Sequence, residues 1–156
     1  MNQTEENYRK FINQVLDDYT PSMIQALEKV SKNKFDKFQA IVFETSFKGG
    51  TLSIDLLSLQ CDPLKSEVSG ECYVDCESFD FVDKLPYFPK NDRFDFNDFE
   101  ENFNSDKITI DLVAEWFHSC WDKSDASTNL PVYLQQHDDH NYLNLKTNKW
   151  EYVELA

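Results

Sequence analysis

His137-Asp138-Asp139-His140 puts two imidazoles and two carboxylates within four positions. Both groups ligate divalent metals, so the run is a candidate metal or hydrolytic site. Adjacent side chains in a short turn rarely converge on one ion, however, and structural zinc sites draw on two separated pairs. The plainer reading is a polar turn in which Asp and Asn bond their own backbone. Cys72-x-x-x-Cys76 is a second candidate and would need two more ligands, such as Cys61, Cys120 or His118. His118 falls on a helix face with Asp111, Glu115 and Asp122, opposite the tryptophans, so it is expected to be exposed and paired with a carboxylate. The four cysteines read as buried thiols rather than disulfides. No serine or cysteine sits in a glycine-flanked strand-to-helix elbow, and no glycine-rich phosphate loop is present. No catalytic residue, cofactor or metal ligand is assigned, and the expectation is not an enzyme.

The acids and aromatics between residues 71 and 106 carry more information. Eleven acids stand there against Lys84, Lys90 and Arg93. This net −8 is over half of the chain's −14. Phe79-Asp80-Phe81-Val82-Asp83 is followed by Asp92-Arg93-Phe94-Asp95-Phe96-Asn97-Asp98-Phe99-Glu100-Glu101. Buried aromatics anchor interfaces, and charges around them steer a complementary partner. The bland alternative is that the phenylalanines are core and the acids a solvated face. Because the cluster is local and unbalanced, we read Asp80, Asp83, Asp92, Asp95, Phe96, Asp98, Phe99, Glu100 and Glu101 as a surface for a basic partner.

The elements that must position these residues follow from periodicity. Tyr8, Phe11, Ile12, Val15, Leu16 and Tyr19 form one helical stripe. Thr20-Pro21 reads as the start of a second helix, with Met23, Ile24, Leu27 and Val30 as its stripe. Residues 38–47 are rich in β-branched and aromatic types, and Gly49-Gly50 supplies the turn of a hairpin. That turn sets Phe47 opposite Leu52, Thr45 opposite Ile54 and Phe43 opposite Leu56. The alternation of Cys72, Val74 and Cys76 predicts a third strand over 71–77, whereas 78–104 shows no sustained period. Ile108, Leu112, Val113, Trp116, Phe117, Cys120 and Trp121 predict a helix from Ser105. Strands over 131–136, 142–146 and 150–153, joined by turns, complete a meander.

The whole is expected to be one α+β domain over residues 1–156, a mainly antiparallel sheet with helices packed on one face. A chain of this length can bury roughly 70% of its unfolded surface. With 23 aromatic residues among 156 it is no disordered acidic tail. A charge of −14 opposes direct binding to nucleic acid or to an anionic membrane. Absence of a basic, apolar leader predicts a cytoplasmic location.

Ala114-Glu115-Trp116-Phe117-His118-Ser119-Cys120-Trp121, His137-Asp138-Asp139 and Leu143-Asn144-Leu145-Lys146-Thr147-Asn148-Lys149-Trp150 are similar to stretches of uncharacterised bacterial proteins. In size, acidity and aromatic content the chain resembles the immunity proteins of bacterial toxin systems. That resemblance implies a cytosolic inhibitor that binds and neutralises a basic cognate toxin, often a nuclease. Two other classes compete with it. A mimic of double-stranded DNA would inhibit several unrelated DNA-binding proteins, and a small hydrolase or metal enzyme would use His118, His137 or His140. A small adaptor domain without a strongly charged partner is a further alternative.

Overall fold

A computed structural model of the chain describes residues 3–32, 35, 37–48, 50–67, 69–86, 105–137 and 139–153. Helix α1 (Gln3–Ser31) is followed by β1 (Ala40–Lys48) and β2 (Thr51–Leu59). A 3-10 turn (Ser69–Tyr73) precedes β3 (Glu77–Pro86), α2 (Ser105–Lys123), β4 (Val132–Gln136), β5 (Asn141–Asn144) and β6 (Lys149–Tyr152). The six strands form one sheet in the order β3-β2-β1-β4-β5-β6. Every pairing is antiparallel except β1 with β4, which is parallel. The architecture is α+β, as the patterning required.

α1 is a single helix, not two. Pro21 lies inside it, where it forfeits one backbone hydrogen bond. The buried residues Tyr8, Ile12, Leu16, Met23 and Leu27 recur at four- and seven-residue steps, so one stripe runs in phase across the proline. Burial of that continuous stripe outweighs the lost bond. At the same point Thr20 Oγ1 donates to the Leu16 carbonyl at 2.9 Å and accepts the Trp116 indole N–H at 2.9 Å. One turn of α1 is thereby tied to α2. Nearer the other end of α1, the Tyr8 and Thr109 hydroxyls share a buried 2.6 Å hydrogen bond.

Both helices cover one face of the sheet. The main core joins their stripes to Ile41, Phe43, Leu52, Ile54, Leu56, Val82, Leu134 and Leu143. Phe43 lies at its centre, with Phe117 at 5.0 Å and Phe81 at 5.1 Å between ring centroids. The opposite face carries a smaller cluster of Ala40, Val42, Leu57, Leu59, Tyr133 and Tyr142, with Cys72 packed on it. Its cover is the segment from Cys61 to Cys76, not a helix.

That cover corrects two expectations. Cys61 and Cys72 form a disulfide, leaving Cys76 and Cys120 as free thiols. The strand expected over 71–77 is a 3-10 turn followed by Asp75 in the left-handed region (φ 56°). Cys72 turns inward to Cys61, Val74 is exposed, and the extended backbone starts only at Glu77. Alternating residue types there record a covalent tether, not a pleat.

The hairpin has the register its turn dictates: Phe47↔Leu52, Thr45↔Ile54 and Phe43↔Leu56 are all paired. Gly50 takes φ 84°, a value open to glycine at little cost; Gly49 lies outside the described residues.

Candidate functional site

β3 is an outer strand, and the expected partner-binding residues Asp80 and Asp83 lie on it, exposed. Asp92, Asp95, Phe96, Asp98, Phe99, Glu100 and Glu101 lie outside the described residues. The register carries the acidic character inward from β3. Asp80 is opposite Asp55, and Asp55 is opposite Glu44. Three carboxylates thus stand in one lateral row over β3, β2 and β1, about 4.8 Å apart from strand to strand. Side chains two residues apart share a face, so Glu44 lies on the side of Val42, away from the helices.

Asp55 shows what this packing costs. Its carboxyl is held above the ordinary aspartate value, first by partial burial, then by a hydrogen bond with Asp80 and by the charges of Asp80 and Glu44. His137 acts in the opposite sense on Asp55, and its Nδ1 lies 3.0 Å from Glu44 Oε1. Among the described residues, no lysine or arginine pairs with Asp55 or Asp80.

The row continues into neutral polar groups. Glu44 is opposite Gln135, and Gln135 is opposite Tyr142. The Tyr73 hydroxyl donates to Gln135 Oε1 at 3.2 Å and lies 2.5 Å from the Tyr142 hydroxyl. Burial, above all, raises both phenols beyond their usual range. The tyrosines therefore stay neutral, and the negative charge of this face resides on the carboxylates. Tyr133 anchors the same cover by donating to both Asp62 carboxylate oxygens, at 2.9 and 3.0 Å.

The histidines do not converge. His118 pairs with Asp122 at 3.7 Å as expected, but only 14% of its side chain is exposed, which corrects the expectation of an exposed residue. His140 stacks on Tyr152, with ring centroids 6.0 Å apart, while His137 turns to Glu44. Asp139 behaves as a turn former: its Oδ1 accepts the His140 N–H at 2.7 Å and the Asn141 N–H at 3.3 Å. Asp138 lies outside the described residues. Among the described residues, no group of three or more His, Cys, Asp or Glu side chains is placed to hold a metal ion. The arrangement presents negative charge in a line across a sheet, which suits the recognition of a cation.

Glu44 and Asp55 belong to no motif in the sequence. Their pairing was nevertheless implicit there, since a turn that puts Thr45 opposite Ile54 also puts Glu44 opposite Asp55. Of the two described phenylalanines of this region, Phe81 is partly buried and packs against the core, and Phe79 is nearly half exposed at the sheet edge. No helix among the described residues is long and apolar enough to cross a membrane. No protein-family model, no curated protein and no solved structure matches the chain.

Proposed function

We propose that the chain is an inhibitor of the immunity type, which binds a basic protein and blocks it sterically and electrostatically. The observation that carries this reading is the row Asp80–Asp55–Glu44. Like charges directly opposite one another across strands are destabilising, and Asp55 has no lysine or arginine counter-ion among the described residues. A partner's lysine or arginine entering the row relieves a repulsion the free protein already bears. Asp83 and Phe79 extend the same edge with a further charge and an apolar contact. The cognate partner is taken to be a toxin, with a nuclease the leading type. The site of action is taken to be the cytosol, although the Cys61–Cys72 disulfide is of the kind that persists in oxidising surroundings.

The test is stopped-flow association with the protein encoded by the neighbouring gene. Asp55→Lys together with Asp80→Lys should slow association by roughly tenfold at low ionic strength. Raising the salt should slow the unmodified protein toward the variant. An association rate indifferent both to the double substitution and to salt would sink the charge-based mechanism. Inhibition of several unrelated DNA-binding proteins would replace it with the DNA-mimic reading.

A further inference from the structure

The two edges of the sheet differ in a way that bears on self-association. Val153 N–H donates to the His140 carbonyl at 2.8 Å, so residue 153 turns its backbone polar groups toward β5. In an antiparallel ladder the N–H and C=O of one residue point the same way, and the direction alternates along the strand. Glu151 and Lys149, paired with Tyr142 and Asn144, therefore also turn inward. Trp150 and Tyr152 direct their N–H and C=O groups out of the sheet, and no strand among the described residues receives them. The two residues are 48% and 64% exposed. An edge with open backbone groups and exposed aromatics is a template for strand addition.

We propose that a second copy of this chain occupies the edge, β6 against β6, antiparallel and centred on Trp150. Centring there uses the outward phase of the backbone: each Trp150 N–H meets the Trp150 carbonyl of the other copy. The same register sets Lys149 opposite the second copy's Glu151, and Glu151 opposite its Lys149. Both are non-hydrogen-bonded pairs, in which side chains approach most closely. Opposite charges in such positions are favourable, so the three-residue unit Lys149-Trp150-Glu151 is complementary to itself. On the helix side of the sheet the two indoles face each other. There Trp150 borders a cleft of about 500 Å³ that Ile110 and Gln136 also line, and the second indole closes over it.

β3, the other outer strand, lacks this complementarity. It carries Glu77, Asp80 and Asp83 against one lysine, Lys84, so self-pairing centred on Asp80 sets acid against acid. Its ladder with β2 is also broken by two register shifts, a device that blunts an edge. Among the described residues β6 is the outer strand with the unbroken, charge-complementary edge, and pairing there leaves the acidic row on β1 to β3 free.

Sedimentation equilibrium of the full chain tests the proposal at about 0.15 M salt, where a Debye length of about 8 Å screens the repulsion between two acidic molecules. The unmodified protein should show a concentration-dependent monomer–dimer equilibrium. Lys149→Glu and Glu151→Lys should each weaken the dimer by roughly tenfold or more, because both cross-strand pairs turn repulsive. Mixed in equal amounts, the two variants should regain dimerisation as a heterodimer, identified by its mass in native mass spectrometry. The double variant carrying both changes should dimerise with itself, which keeps the test open if one single variant folds poorly by circular dichroism. An unmodified protein that stays monomeric at every concentration leaves the edge to another strand and overturns the proposal. Single variants that dimerise as tightly as the unmodified protein, or a mixture that fails to reassociate, overturn the register.

Discussion

Replacing Asp55 by Asn removes one charge from the middle of the acidic row and leaves its shape almost unchanged. Asp55 faces Asp80 on one side and Glu44 on the other. Each such like-charge contact costs about 0.2–1 kcal/mol across strands. His137 offsets part of this, and solvent screens a half-buried group, so the expected gain for Asp55→Asn is about 0.5–1 kcal/mol at neutral pH. In a chain of 156 residues this raises the melting temperature by about 1–4 °C. The pH dependence has a definite sign. The folded-state value of Asp55 lies above its unfolded value, so between the two the native state binds more protons and stability falls as pH rises. The penalty is complete above the folded value and disappears as pH drops toward about 4, the ordinary aspartate value. Thermal and urea melts of both proteins at about pH 7.5 and pH 4.5 should therefore show the advantage of Asp55→Asn shrinking on acidification. High salt at neutral pH should shrink it as well. A variant less stable than the parent at neutral pH, or a difference untouched by pH and salt, would refute the account of the row. The same substitution should weaken association with a basic partner, so stability and binding move in opposite directions.

The remaining predictions concern the cover and the core. Replacing Cys61 and Cys72 together by Ala opens a loop with a sequence separation of 11 and should cost about 3 kcal/mol, measured by urea unfolding against the oxidised parent. The parent treated with reductant should match that variant. Phe117→Ala removes a fully buried ring that packs on Phe43 and should cost about 3–5 kcal/mol, with the midpoint of chemical denaturation as the measure.

What the sequence disclosed and what it hid have separate physical causes. The hairpin was legible to single-residue register because the turn and the alternation on both strands agree. α2 and the closing meander were legible for the same reason, each having one clear period. Pro21 misled because a local rule about proline competes with the phase of the stripe over two turns, and tertiary burial decides. β3 stayed hidden because it is an edge strand with Val82 as its one fully buried position, so it has almost no apolar alternation to read. The disulfide was hidden because spacing alone does not reveal that residues 61 and 72 return to one place. The acidic surface was legible as composition. Its extension through Asp55 to Glu44 depends on pairing between three strands, of which only β1 and β2 have a periodicity that shows in the sequence.

The parallel pairing of β1 with β4 also bears on how the chain reaches its fold. β1 is made early and β4 late; the hydrogen bond from Thr45 Oγ1 to the Gln135 carbonyl spans 90 residues. The helix and hairpin that include β1 can form locally, but one flank of β1 keeps its backbone groups unpaired until about ninety further residues have been synthesised. Non-local pairing of this kind slows folding, and an unpaired strand flank in the interval is open to intermolecular pairing. The loop-closure cost itself rises only slowly, by about 0.6 kcal/mol per doubling of length. Synthesis of this chain therefore carries a kinetic hazard rather than a thermodynamic one, concentrated in the time between the emergence of Lys48 and that of Gln136.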